Sequence, residues 1–215
     1  MIEFFVVLSL LLFSGCSLHV EKNEWQYKSS RAFHSFTKEY LSAHEILAKA
    51  DKKAAEHYAK QSADLETLAR VYLGECAIYK SVGVLSTCKE YQELAMVVND
   101  ATLQAYFMFI NQKLTPKTVQ NLPKKYQPFA QAWYKQEYNK AFEILQKCDD
   151  DISKLLWAAL IKEHLTQQQR EQMLSIASYN GYKKAVLFWL SELKKYEKEL
   201  NKRKLIDKKI AILLK

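Results

Sequence analysis

The chain has 215 residues, 49% of them apolar and 13% aromatic, enough for one core of ordinary size and unlike the composition of a disordered polymer. Four glycines and three prolines are too few to turn a many-stranded fold, so the composition excludes an all-β architecture and predicts an all-α one. The formal net charge of +8 suits nucleic acid, an anionic surface or an acidic partner, and the N-terminus selects among these.

Residues 2–13 form an apolar run interrupted only by Glu3 and Ser9. The run is too short for a membrane span of about 20 residues and matches the h-region of a signal peptide. It ends in Phe13, Ser14, Gly15 and Cys16, which resembles the lipobox of bacterial lipoproteins. The resemblance implies that residues 1–15 are a cleaved leader. It also implies that Cys16 receives a diacylglycerol thioether and becomes the acylated mature N-terminus, where several acyl chains make attachment effectively permanent. Ser17 stands where an Asp is the inner-membrane retention signal of enterobacterial lipoproteins, so the implied address is the bacterial outer membrane, with the domain facing the periplasm. The alternative is a short buried helix in which Cys16 is an ordinary residue. Loss of Glu3 with the leader raises the formal net charge to +9, and export removes the chain from nucleic acid, which is discarded as a partner.

Residues 16–28 contain no helical periodicity and read as a lipidated N-terminus and flexible tether, able to extend roughly 40 Å. A single all-helical domain is expected over residues 29–215. Ser29 or Ser30 is the expected cap of a helix carrying Phe33, Phe36, Tyr40, Leu41, Ile46 and Leu47, and Asp51 is expected to open another. Asp64 then starts a stronger helix, in which Leu65, Leu68, Ala69, Tyr72, Leu73, Cys76 and Tyr79 form an apolar stripe ending near Gly83. Ser86 or Thr87 caps the next segment and Asn99 with Asp100 marks a break. Leu103, Phe107 and Ile110 continue in a further helix, and Thr115 and Pro116 fit an N-cap followed by proline at the first helical position.

The later half carries an internal echo. Residues 133–145 read WYKQEYNKAFEIL and residues 177–190 read ASYNGYKKAVLFWL, both with Tyr-x-x-Ala when aligned on Tyr138 and Tyr182. The pattern resembles tetratricopeptide and Sel1-like repeats, in which small residues such as Ala141 and Ala185 let paired helices approach and aromatics fill the space between units. The resemblance implies helical hairpins stacked as an irregular α-solenoid, with an extra helix over residues 151–165 lengthening the spacing. Tyr134, Tyr179 and Trp189 flank the two Tyr-x-x-Ala cores and are the candidate anchors for a protein partner.

If Cys16 is acylated, Cys76, Cys88 and Cys148 remain for an oxidising compartment. Cys76 and Cys88 lie almost symmetrically about a hairpin at residues 81–85, so a disulfide between them is expected, with Cys148 left over. Three buried, unpaired thiols are the alternative.

No catalytic motif stands out: there is no His-Glu-x-x-His, no Gly-x-Ser-x-Gly and no phosphate-cradling glycine loop. His19, His34, His44, His57 and His164 share no ligand spacing, and Asp149, Asp150 and Asp151 read as a helix cap rather than a cation loop. No enzyme activity, cofactor, metal or small-molecule substrate is therefore expected. Residues 194–215 carry nine basic and three acidic residues with an apolar stripe of Leu193, Tyr196, Leu200, Ile206, Ile210 and Leu213. This is read as a basic C-terminal helix packed on the domain, or else as an amphipathic helix that touches anionic headgroups or an acidic partner. Two functions remain from the sequence. One is a membrane-anchored adaptor or assembly factor that binds an envelope protein on helical-repeat surfaces. The other is a structural or surface-exposed, adhesion-type lipoprotein without a binding groove.

Overall fold

The computed structural model describes residues 23–215 apart from Asp64. The expected leader, Cys16, the expected tether up to residue 22 and the expected cap Asp64 lie outside the described residues. Among the described residues there are twelve α-helices, one short 3-10 turn and no strand, so the chain is all-α. None of the described helices is long and apolar enough to cross a membrane.

Helix α1 spans Glu24–Leu41 and begins five residues before Ser29. The Asn23 carbonyl accepts the Tyr27 N–H at 3.1 Å, and Lys28 pairs with Glu24 at 2.6 Å one turn away. Residues 24–28 therefore belong to the domain and not to a tether; all but the half-buried Trp25 are exposed, and so short a stretch carries no apolar period to reveal the helix. Ser29 is not a cap. It is fully buried and donates its hydroxyl to the Ala55 carbonyl at 2.9 Å. Helix α2, Glu45–Ala59, runs unbroken through Asp51, whose carboxylate accepts the Ser35 hydroxyl across the hairpin at 2.7 Å. Ala48, Ala55 and Ala59 are its buried residues, small enough for α1 and α2 to pack closely, while Ile46 and Leu47 are exposed.

Helix α3, Leu65–Ser81, buries far more than one stripe, including Val71, Ala77 and Ile78. The reason is its position: α1, α2 and the later helices α4 (Lys89–Ala95), α5 (Ala101–Ile110) and α9 (Asp151–Leu160) all pack on it. The expected caps at Ser86 or Thr87 give way to Cys88, which precedes α4 in the left-handed region with φ 56°. Asp100 caps α5 by accepting the N–H groups of Thr102 and Leu103 at 2.6 and 3.0 Å. Thr115 caps α6, Pro116–Asn121, with proline first. Helices α7 (Gln127–Tyr134) and α8 (Tyr138–Gln146) form a hairpin. After α9 and the 3-10 turn Lys162–His164, α10 (Gln167–Tyr179) and α11 (Lys183–Tyr196) form another, with a capping box between Thr166 and Gln169.

Helices α1, α3, α5, α7 and α10 end in one motif, a Schellman cap whose left-handed residue is Ala43, Gly83, Gln112, Gln136 and Gly181 respectively. In each, the following N–H reaches back five residues, as in His44 to Glu39 at 2.8 Å, Glu137 to Ala132 at 2.9 Å and Tyr182 to Ala177 at 2.9 Å. In α1–α2, α7–α8 and α10–α11 the next helix starts at once, so three hairpins share one turn. Superposing those turns places Glu137 opposite Tyr182 and Tyr134 opposite Tyr179. That register is one residue out of step with the Tyr-x-x-Ala alignment, although Ala141 and Ala185 are both fully buried.

Contacts also join elements distant in sequence. Helix α9 packs on α3, and α11 returns to α1. There the Lys184 ammonium lies 3.6 Å from the centre of the Tyr40 ring and pairs with Glu45 at 2.6 Å. Helix α12, Leu200–Leu213, follows a break at residues 197–199 and rests against α11. It buries no residue of its own: of the expected stripe, Leu200 stays 62% exposed, while Ile206, Ile210 and Leu213 are half-buried.

Candidate functional site

A concavity lined by both apolar and polar groups lies across α3. Its floor is Leu73, Gly74, Ala77 and Ile78, and two adjoining cavities of 210 and 320 Å³ meet at Gly74, Tyr106 and Tyr126. The smaller extends toward Arg70, Thr102, Leu103 and Pro123, the larger toward His34, Thr37, Asp150 and Ser153. Gly74 is what lets α1 lie close here. A Cβ at this position would stand 2.5 Å from the tip of the Phe33 ring, so any side chain forces that ring to move.

Tyr106 and Tyr126 form one wall, with ring centres 5.3 Å apart in an edge-to-face pair. Tyr126 also packs on Trp157 at 5.6 Å, and Trp157 stacks on Phe129 at 4.8 Å, so the wall is fixed from behind by core aromatics. Burial, reinforced by Tyr126, pushes the Tyr106 hydroxyl well above its ordinary pKa. It stays neutral and acts as a hydrogen-bonding group rather than a base. Asp150, at the far lip, is committed to the start of α9: it accepts the N–H groups of Ile152 and Ser153 at 3.3 and 3.2 Å and the Ser153 hydroxyl. The chemistry on offer is that of a groove for an apolar or aromatic side chain, with polar groups among its lining.

The chain matches no protein-family model, no curated protein and no solved structure. The site is therefore read from its own geometry.

Two further features are built around polar groups. Glu75, 5% exposed on α3, accepts from Lys52 at 2.6 Å and from the Tyr79 hydroxyl. Desolvation, with Glu45 and then Glu75 nearby, pushes the Tyr40 hydroxyl up to about 12, and desolvation with the Glu75 bond pushes Tyr79 higher still. This cluster ties α1, α2 and α3 together under the Lys184 contact from α11. Elsewhere, Tyr138 and His164 stack with ring centres 3.6 Å apart beside an open pocket of 480 Å³ at the α7–α8 turn.

The candidate anchors fare differently. Tyr134 and Tyr179, each the last residue of its helix, are 43% and 91% exposed at equivalent positions of two hairpins. Trp189 is corrected: it is fully enclosed, because the α11 face it shares with Ala185, Leu190 and Leu193 is the one turned into the core. It offers nothing to a partner. Cys76 and Cys88 are disulfide-bonded, their Cα atoms 5.3 Å apart, and Cys148 is a half-buried free thiol. Among the described residues no group of three or more His, Cys, Asp and Glu side chains is placed to hold a metal ion.

Sequence reasoning missed Gly74, Tyr106 and Tyr126. The only signal was Gly74 itself, a glycine inside a strong apolar helix pattern, which marks a close approach of another chain segment.

Proposed function

We propose that this chain is a lipid-anchored adaptor of the bacterial cell envelope. In this reading Cys16 is acylated in the outer membrane and the domain, facing the periplasm, binds a segment of another envelope protein. Its helical hairpins act as an irregular tetratricopeptide- or Sel1-like array, curled so that α11 meets α1. The observation that carries the reading is the cleft over Gly74: an apolar floor on the most central helix and a two-tyrosine wall held by core aromatics, a composition able to seat an apolar side chain of a peptide. Tyr134 and Tyr179 offer a second, outer pair of anchors.

The test is capture of a protein from detergent-solubilised envelopes by the full chain, compared with Thr102→Trp, which fills the smaller cavity from its rim, and with Tyr134→Ala/Tyr179→Ala. A partner retained by the parent and lost with Thr102→Trp supports the adaptor; equal capture by all three proteins overturns it. Intact mass of the native protein reads the anchor separately: residues 1–15 absent and acyl mass on Cys16 are expected, and any other N-terminus refutes that part.

A further inference from the structure

Helix α12 holds exposed aliphatic residues beside a dense run of positive charge. Over one face of this helix, Leu205 and Ile212 stand two turns apart and are 54% and 69% exposed. At 100° per residue, Lys204 and Lys208 fall on one flank of that pair and Lys202 and Lys209 on the other. All four lysines are exposed. The acidic residue of the helix, Asp207, points the other way and is bound to Lys194 of α11 at 2.5 Å. Ile206, Ile210 and Leu213, half-buried, mark the same α11-facing side. The outward face is thus an aliphatic ridge between two rows of ammonium groups, with Glu199 at its N-terminal end bound to Lys202 at 3.0 Å.

We propose that this face of α12 lies on an anionic lipid bilayer, with Leu205 and Ile212 entering the headgroup boundary and the flanking lysines reaching lipid phosphates. Two observations favour a membrane over an acidic polypeptide for this ridge. The lysines lie on both sides of it, as a plane of phosphates requires, rather than in one line. Their long stems allow each charge to reach upward while the aliphatic pair sits deeper. This contact goes beyond the Cys16 anchor and does not depend on it: it would orient the domain against the surface, where acylation alone leaves it free to turn.

The experiment is co-sedimentation of the full chain with phosphatidylcholine vesicles with and without phosphatidylglycerol. The readout is the ratio of the two affinities, to which an N-terminal apolar segment contributes equally. Each lysine near an anionic surface is worth about fivefold in binding. Lys204→Glu/Lys208→Glu/Lys209→Glu, whose side chains are exposed and whose fold circular dichroism verifies, is expected to lower the ratio a hundredfold or more. Leu205→Ser/Ile212→Ser is expected to lower binding to the anionic vesicles several-fold and to make what remains more sensitive to salt. A ratio unchanged by the three reversals overturns the proposal, as does unchanged binding when the ridge is made polar. Displacement from anionic vesicles by poly-L-glutamate at equal charge concentration would assign the face to an acidic polypeptide and also overturn it.

Discussion

Gly83 and Gly181 occupy the same left-handed position in two Schellman caps, with φ +75° and +69°, yet their surroundings differ. A Cβ on Gly181 meets nothing within 4 Å; one on Gly83 would stand 2.5 and 2.6 Å from two carbons of the Phe188 ring on α11. Gly181→Ala therefore isolates the backbone penalty of placing an L side chain in that region, about 1 kcal/mol. Gly83→Ala adds to it the displacement of a ring packed between α3 and α11, an overpacking effect of about 1 to 3 kcal/mol, for a total of about 2 to 4 kcal/mol. Urea unfolding under non-reducing conditions measures both, and the accompanying Tm losses should be about 2 to 4 °C for each kcal/mol in a domain of this size. Phe188→Leu in the Gly83→Ala background should recover part of the loss, with a coupling energy of about 0.5 kcal/mol or more. Equal losses for the two alanine variants, or no coupling to Phe188, would refute the close approach of α11 to the end of α3.

Reduction of the Cys76–Cys88 bond, or Cys76→Ser/Cys88→Ser, should lower stability by about 3 kcal/mol in the chain-entropy description, read as a lower Tm with reductant than without. Trp189→Ala should destabilise by about 3 to 5 kcal/mol, whereas Tyr179→Ala should leave the melting temperature nearly unchanged; similar losses for both would contradict their opposite burial. Glu163 is held at about 2 by hydrogen bonds from Lys162 first, then Tyr196 and Lys195. Its folded pKa lies below the unfolded value, so its contribution is present above about pH 4.5 and is lost as the pH falls toward 2. The group is exposed, so the effect is small. Glu163→Gln should flatten the pH dependence of Tm across that window, and an unchanged profile would show that the three donors add nothing.

What the sequence made legible was local chemistry. Thr115 and Asp150 were readable as caps, and Asp100 as a break, because a side-chain oxygen two or three residues before an N–H needs no tertiary partner. The stripe in α3 and the stop at Gly83 were readable for the same reason. Ser29 and Asp51 misled because each has a capping residue's chemistry, but its partner lies on the neighbouring helix: Ala55 for Ser29, Ser35 for Asp51. Trp189 sits beside a repeat-like motif, and only the packing of α11 decides which side of it faces inward. The cleft was hidden because it draws on α1, α3, α5 and α9, whose juxtaposition no periodicity encodes. Among its residues only Gly74 breaks a local rule.

The return of α11 to α1 bears on how the molecule opens. In a linear array of hairpins each terminal unit is braced on one side only, and it exchanges its amide hydrogens before the middle does. Here the first and last hairpins brace each other through Lys184, Tyr40 and Glu45, and α9 joins α3 across the interior. The amides of α1 and α11 should then become unprotected together, at a free energy close to that of global unfolding. Helix α12, outside the ring of contacts, should exchange first and alone.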